Sequence, residues 1–498
     1  MDRLPSRLYT AQQVKHGESL AAQKAGVEMY VLMQRAGQAT YNHIQHRYPD
    51  AKRLSVLCGC GNNGGDGFVV ARLAQNDGVD VKLYLCGDET KISGDAQTAK
   101  QEWLNCGGEI KSIEHFEPEQ SSLIVDALLG TGLSGEVRTS LQSIIEQIND
   151  TDTKVVSIDI PSGLCSDTGT ILGQAIKADS TITFIGVKQG LLTGQARNVV
   201  GELHFSGLGV EEEFNQLIAH SVLTLSVEST IGLLPRRKAT AHKGNHGRLL
   251  CLGGNEGYSG AIRLCATAAA RSGAGLIRVL CHENSILPLQ IGCPEVMTRS
   301  VREGDSLLHE ALATTDAIAL GPGLGIDAWA HELYHACKQS PKSKVVDADA
   351  LNILANSPYI DHQRIITPHP GEAARLLDCQ VVDVEKNRFQ AVTELQSKYG
   401  GVVVLKGAGT LICDGHDINV CNAGNPGMAT GGMGDVLTGI IGALLAQGLT
   451  LNDAAKVGVL VHSVAADNLA QRHGQIGLLA SDVISEVREV IHHWGRSE

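Results

Sequence analysis

Asn422-Ala-Gly-Asn-Pro-Gly-Met-Ala-Thr-Gly-Gly-Met-Gly-Asp435 decides how this chain is read, because an apolar, helix-like run over residues 436–445 follows it directly. Five glycines and a proline lead to a single carboxylate at a helix start. Such a loop presents bare backbone N–H groups where a helix begins, and phosphate oxygens are stabilised there. Asp435 then stands beside the anion site, placed to take a proton from a hydroxyl. Just upstream, a strand-like run over 402–405 delivers Lys406-Gly-Ala-Gly-Thr410, a lysine among glycines that suits phosphate as a point charge. No Gly-x-x-x-x-Gly-Lys-[Ser/Thr] sequence occurs, so phosphate handling uses another design.

Outward from this stretch, residues 316–320 read as a strand entering Gly321-Pro-Gly-Leu-Gly325. Runs at 344–346 and 364–366 lead into Asp347-Ala-Asp-Ala-Leu351 and Thr367-Pro-His-Pro-Gly-Glu372. With strands at 248–252 and 276–281 and a helix at 261–272, they form an α/β series whose strand ends line one rim. His369, between two prolines, is presented rigidly and reads as a substrate contact. Asp347 and Asp349 serve either the substrate side or the cap of the next helix.

The N-terminal half has the same rhythm. Strands are expected at 54–58, 79–85, 123–128, 155–160 and 181–185, helices at 68–76 and 140–148, and amphipathic helical structure over 10–38. The first strand runs into Gly59-Cys-Gly-Asn-Asn-Gly-Gly-Asp-Gly67, whose asparagines and Asp66 add side-chain oxygens to backbone amides. That mixture suits a phosphate together with a cation. Asp126 leads into Gly130-Thr-Gly-Leu-Ser-Gly135, and Asp159-Ile-Pro-Ser162 closes another buried run. Ligands of parallel sheets bind beyond the carboxyl ends of strands, so Asn63, Asp126, Asp159 and Ser162 are expected to converge.

Bulk properties bound the alternatives. A chain of 498 residues exceeds one ordinary core, and the βα rhythm lapses between 211 and 242. Two domains are expected, 1–222 and 223–498. A net charge of −13 opposes a nucleic-acid surface, which needs a basic stripe. The thirteen cysteines form no Cys-x-x-Cys pair and several sit inside strand-like runs, so reduced buried thiols are expected. No apolar run approaches the roughly 20 residues of a membrane span, and no signal-peptide pattern opens the chain, which reads as cytoplasmic.

Two resemblances narrow these readings. Leu8-Tyr-Thr-Ala-Gln-Gln-Val-Lys15, Leu32-Met-Gln-Arg-Ala-Gly37, the 61–67 loop, the 130–136 loop and Asp159-Ile-Pro-Ser-Gly163 together resemble the NAD(P)H-hydrate epimerase domain. That resemblance implies a Rossmann-like three-layer fold that interconverts the R and S forms of hydrated NADH and NADPH. It implies contacts to the hydrated nucleotide from Asn62, Asn63, Gly64, Gly65, Asp66, Gly130, Thr131, Gly132, Leu133, Ser134, Gly135 and Glu136. It further implies K+ held by Asn63, Asp126 and Ser162, and Asp159 as the catalytic group at the nicotinamide ring.

Asn425-Pro-Gly-Met-Ala-Thr-Gly-Gly-Met-Gly-Asp-Val-Leu-Thr-Gly439, with the 321–325, 367–372 and 406–410 stretches, resembles the ADP-dependent NAD(P)H-hydrate dehydratase domain of the ribokinase-like superfamily. The implied fold is a ribokinase-like three-layer α/β domain. The implied reaction dehydrates S-NADHX or S-NADPHX while ADP, carried with Mg2+, becomes AMP and phosphate. By the same resemblance, Lys406, Gly407, Ala408, Gly409, Thr410 and Gly434 bind the adenine nucleotide. Ala261, Gly323, His369 and Asp435 bind the hydrated substrate, with Asp435 as the base. The order of the halves is that of bifunctional NAD(P)H-hydrate repair enzymes, with homo-oligomeric assembly expected. The alternatives are a ribokinase-like small-molecule kinase fused to a dinucleotide-sensing domain, or a first domain that only senses ligand.

Overall fold

The computed structural model describes residues 4–302 and 304–495, and the chain divides into two compact units after Leu223. The first is built on a seven-stranded sheet in the order Ile110–Ser112, Asp80–Leu85, Arg53–Cys58, Leu123–Ala127, Val155–Ile158, Ser180–Phe184, Glu202–Ser206. Every neighbouring pair is parallel. The four strands from Arg53–Cys58 to Ser180–Phe184 are almost wholly buried, as parallel strands covered on both faces must be. One face packs Leu32, Phe68 and Trp103 from the helices Met29–Arg47, Asn62–Asn76 and Gly94–Asn105. The other packs Leu141, Ile145 and Ile148 of the helix Thr139–Asn149 against Tyr84, Phe116 and Ile124. The unit is therefore three-layered and Rossmann-like.

From Arg53–Cys58 the chain moves outward through Asp80–Leu85 to Ile110–Ser112, then returns on the other side at Leu123–Ala127. The switch in direction opens a crevice beyond these two central strands. The loops at 59–67 and 128–136 flank it. Gly59 is required there, because a Cβ at this position would lie 2.0 Å from the carbonyl oxygen of Leu128.

Two helical expectations change in detail. The 10–38 segment is two helices, Ala11–Ala25 and Met29–Arg47, separated where Gly26 turns left-handed and Val27 N–H bonds back to Ala22. The helix expected at 68–76 starts at Asn62, so the glycine-rich stretch is itself the first two turns. Its glycines let those turns close on neighbouring groups: a Cβ at Gly65 would lie 2.7 Å from Met33.

In the second unit the strands Met297–Ser300, Leu276–Cys281, Arg248–Leu252, Ala317–Leu320, Ser343–Val346, Arg364–Ile366 and Val402–Leu405 lie side by side and parallel. Thr410–Cys413 and Ile418–Cys421 then add antiparallel strands. One face carries the helices Ser259–Arg271, Met433–Ala446, Leu451–His473 and Ala480–Trp494 around Ile440, Ile441, Val461 and Val487. Helices including Ala328–Gln339, Asp349–Asn356 and Arg388–Tyr399 bury Leu333, Leu354 and Leu395. The Lys406-Gly-Ala-Gly-Thr410 stretch is the turn of a hairpin. Its first strand also pairs with Arg364–Ile366, so the lysine does not stand on a sheet edge. No disulfide joins the thirteen cysteines, and among the described residues no helix is long and apolar enough to cross a membrane.

Gly59→Ala is expected to destabilise the first unit by about 1–3 kcal/mol, because a backbone carbonyl cannot move aside as a side chain can. Denaturant unfolding checks this; parental stability would show that the two crevice loops are not tightly apposed.

Candidate functional site

Each unit gathers its functional side chains at the carboxyl ends of its strands. In the first, Asp159 follows Val155–Ile158 with φ 64, a left-handed conformation uncommon outside glycine. Its Oδ1 accepts hydrogen bonds from Thr183 Oγ1 at 3.0 Å and Phe184 N at 3.2 Å. The same oxygen pairs with the ammonium of Lys188, which is 1% exposed. Oδ2 accepts no hydrogen bond among the described residues, so one oxygen anchors the carboxylate and the other is available. Asp66 and Glu18 complete the cluster. Burial first, then the charges of Asp159 and Glu18, pushes the Asp66 carboxyl well above its ordinary range. Burial likewise raises Glu18, against the pull of Lys188.

Behind this cluster lies a chain of oxygens. Asp126 is wholly buried; its carboxylate accepts from Ser157 Oγ at 2.8 Å, Ser162 N at 2.8 Å and Ser162 Oγ. Ser162 Oγ accepts from Leu129 N at 2.8 Å, and Asn63 Nδ2 donates to Leu129 O at 3.0 Å. The Asn63 amide oxygen is buried without any hydrogen-bond partner among the described residues. A buried carboxylate with no cationic partner next to an orphaned amide oxygen is a donor set suited to a hard monovalent cation. Burial raises the Asp126 carboxyl while hydrogen bonds from Ser162 and Ser157 oppose it.

The nucleotide-loop residues are divided. Gly64 and Gly65 are buried in the helix start, while Asn62 is exposed and Asn63 half-buried. Gly130, Thr131 and Leu133 are half-buried, and Gly132, Ser134, Gly135 and Glu136 lie open to solvent. A bound molecule could therefore meet the second loop without displacing packed structure.

In the second unit, Asp435 occupies the first turn of Met433–Ala446, whose N-cap Gly432 has φ 91. The first amides of a helix have no intrahelical acceptor, and Asp435 stands in that same turn. Lys406 Nζ donates to Asp347 Oδ1 at 2.8 Å and lies 3.7 Å from Glu372 Oε2. Thr438 Oγ1 donates to the other Asp347 oxygen at 2.7 Å. Gly434 fits between them: a Cβ there would lie 3.2 Å from Lys406 Nζ and 3.4 Å from Asp347 Oδ2.

This packing sorts the acids. Burial would raise Asp347, but the charge and hydrogen bonds of Lys406 hold it below its ordinary range. Burial, with Asp347 adding to it, pushes Asp435 up to about 7 against the pull of Lys406. Glu372 also rises to about 7, chiefly through burial. Two carboxyls thus titrate near neutrality beside one that stays ionised, the pattern of groups prepared for proton transfer.

His369 caps a helix. Its Nδ1 accepts from Gly371 N at 3.0 Å and Glu372 N at 3.4 Å, while the His369 backbone N–H donates to Glu372 Oε2 at 2.8 Å. Nδ1 is therefore an acceptor and the ring proton sits on Nε2. Burial and Lys406 lower its pKa, keeping the ring neutral. Gly323, with φ 60, comes within reach of Ala261: a Cβ on Gly323 would lie 3.3 Å from the Ala261 methyl. Asp349 Oδ2 accepts from Gly325 N at 2.8 Å, tying two rim loops together. Between Asp347 and Asp349, Ala348 has φ 48, a strained conformation at the rim.

Lys406, expected as an arm reaching phosphate, is drawn inward by the carboxylates. Gly407 carries φ 138, and a Cβ there would lie 2.9 Å from the Arg388 guanidinium. Arg388 supports the turn through the carbonyls of Leu405 and Lys406, at 3.3 and 3.1 Å. Glu18, Lys188, Glu372, Arg388 and Thr438 were not selected from the sequence. Of these, only Glu372 and Thr438 fell within stretches already singled out.

The model of the family described as NAD(P)H-hydrate dehydratase matches residues 249–489. The YjeF-related protein N-terminus model matches 29–190. The bifunctional NAD(P)H-hydrate repair enzyme Nnr of Vibrio cholerae is 50% identical over 489 residues, covering 98% of this chain and 99% of that protein. The enzyme of the same name from Escherichia coli is 46% identical, over 98% of this chain and 95% of its own length. A Bacillus subtilis ADP/ATP-dependent NAD(P)H-hydrate dehydratase, co-crystallised with ATP/Mg2+, is similar with TM-score 0.51 and 30% identity, covering 55% of this chain and 100% of that one. A ribokinase-like superfamily protein of Enterococcus faecalis matches with TM-score 0.51 and 31% identity, over 55% of this chain and 96% of its own.

Lys406→Met leaves Asp347 buried without its counter-charge. Stability should fall by about 3–5 kcal/mol, and the Asp435 carboxyl, relieved of a cation, should titrate higher. Denaturant unfolding and carboxyl-carbon NMR check the two effects; an unmoved Asp435 would show that the lysine is not its neighbour electrostatically.

Proposed function

The chain belongs to the family of bifunctional NAD(P)H-hydrate repair enzymes, with an epimerase domain and an ADP/ATP-dependent dehydratase domain, and from that premise we propose how its residues divide the work. Residues 1–222 carry epimerisation and 223–498 carry dehydration. The observation that supports this division best is Asp435, held near neutrality at a helix start beside an ionised Asp347–Lys406 pair.

For dehydration, S-NADHX or S-NADPHX places its hydrated nicotinamide ring at Ala261, Gly323 and His369, with the ring hydroxyl on Asp435. ADP lies along Lys406, Gly407, Ala408, Gly409 and Thr410, its terminal phosphate at the amides around Gly434. Asp435 removes the hydroxyl proton, and the oxygen attacks the terminal phosphoryl group as AMP departs. The helix-start amides stabilise the charge that builds on that group. Phosphate is a far better leaving group than hydroxide. The ring nitrogen expels it, the adjacent carbon releases a proton, and the dihydronicotinamide double bond re-forms. Mg2+ would be carried on the nucleotide phosphates, where it offsets their charge.

For epimerisation, the inverted centre is a hemiaminal carbon. Asp159 Oδ2 takes the hydroxyl proton as the ring C–N bond breaks to give an aldehyde, and returns it as the ring nitrogen closes on the opposite face, while Lys188 and Thr183 hold the carboxylate through Oδ1. Asn62, Asn63, Gly64, Gly65, Asp66 and the 130–136 loop receive the nucleotide. Asn63, Asp126 and Ser162, joined by the Leu129 carbonyl, would hold K+, which when bound supplies positive charge to the anionic nucleotide. The protein acts on small molecules, and a homo-oligomer working in the cytoplasm is the proposed setting.

A small-molecule kinase would share the first phosphoryl transfer but retain its phosphorylated product. The near-complete match to repair enzymes favours expulsion of phosphate instead.

Asp435→Asn is expected to abolish nucleotide-driven recovery of dihydronicotinamide absorbance while leaving epimerisation intact; equal loss of both would contradict two separate sites. In the parent, dehydration should rise by about tenfold per pH unit below about 7 and level off above it, because only the ionised base can act. A flat profile through that range would exclude Asp435 as the base. Asp159→Asn should block use of R-NADHX and spare S-NADHX, resolved by chromatography of the two epimers.

A further inference from the structure

We propose that the second unit carries a separate anion site for a phosphate-bearing small molecule, at the end of its sheet opposite Asp435. A cavity of about 420 Å³ opens there, walled by Arg237, Arg271, Arg488 and His492 with the apolar Leu444 and Ile491. Arg271 closes the helix Ser259–Arg271, and Leu444 lies in the last turn of Met433–Ala446. Ala261 and Asp435 stand in the first turns of those same helices. A helix of this length spans roughly 20 Å, so the cavity is distinct from the catalytic rim.

Charge points to the occupant. Among the described residues no carboxylate lines the cavity, although the chain as a whole carries −13. Arg237 Nη2 is fixed on the Gly273 carbonyl at 2.8 Å. Arg271 and Arg488 make no hydrogen bond or ion pair among the described residues. A helix C-terminus attracts one cation, which would account for Arg271 alone. It does not explain why a loop and another helix direct Arg237 and Arg488 to the same cavity.

The wall also contains Ser272, 4% exposed, whose Oγ is buried with no hydrogen-bond partner among the described residues. Converging guanidiniums with a spare hydroxyl are the donor set of a phosphate, and planar guanidinium forks match its oxygens. The volume exceeds that of a bare phosphate and falls within the range of small-molecule pockets. Leu444 and Ile491 offer the remainder an apolar seat.

The test is arginine-selective labelling of the full chain with phenylglyoxal, read by peptide mass spectrometry. AMP or inorganic phosphate is added against chloride at matched ionic strength. Labelling of Arg271 and Arg488 should slow by about tenfold, as expected when paired guanidiniums hold an oxyanion. Arg302, 81% exposed and paired with Glu283, serves as the control and should not change. Protection by AMP at lower concentration than phosphate identifies a nucleotide; equal protection identifies the phosphate group itself. Protection should persist in Asp435→Asn and weaken in Ser272→Ala. Unchanged labelling, slowing equal to that of Arg302, or protection lost in Asp435→Asn would each overturn the proposal.

Discussion

The ammonium of Lys406, half-buried 2.8 Å from Asp347 and 3.7 Å from Glu372, is the interaction on which the proposed dehydratase site depends. One lysine cannot compensate every acid around it. Asp347 takes the direct contact and the Thr438 hydroxyl, and so stays ionised. Asp435 and Glu372 bear the unmet cost of burial and shift to about 7. For Asp435 that displacement corresponds to roughly 4 kcal/mol between its protonated and ionised forms. Holding a carboxyl near neutrality therefore costs the fold stability, and neighbouring structure holds the arrangement. Arg388 braces the Lys406 turn, and the missing side chain at Gly434 keeps the helix start close to the ion pair.

The epimerase domain solves the same electrostatic problem differently. Asp126 has no cationic side chain but is surrounded by hydroxyls and amides, leaving a partnerless Asn63 oxygen nearby. Asp159 has a buried lysine and a strained backbone instead. The first arrangement suits a bound cation. The second anchors one carboxylate oxygen while leaving the other to act. Asp126 lies at the switch in strand order, where backbone loops part without breaking sheet hydrogen bonds, and Asp159 follows the next strand along.

Much of this was legible in the sequence, for identifiable reasons. Central strands such as 54–58 and 402–405 are near-continuous apolar runs, because a parallel sheet covered on both faces demands them. Ile110–Ser112 and Glu202–Ser206 are short or half-exposed and carry no such signature. The helix start at Asn62 was obscured because glycine disfavours helix in isolation, while tertiary packing requires it here. Glycine-rich loops announced both sites. Their charge partners did not: Lys188 and Glu18 stand outside the motifs and meet Asp159 only through folding. His369 was legible as a rigid rim residue, but its capping of the 370–377 helix depends on geometry no spacing reveals.

In the mechanism proposed for the dehydratase, phosphoryl transfer turns a poor leaving group into a good one. The most direct measurement follows the oxygen. If the ring hydroxyl of S-NADHX is isotopically heavy and the enzyme turns over with ADP, the account requires the label to leave in inorganic phosphate, detectable by the isotope shift in phosphorus NMR. Label recovered in water, with unlabelled phosphate formed at the same rate, would contradict attack by the hydroxyl and the role given to Asp435.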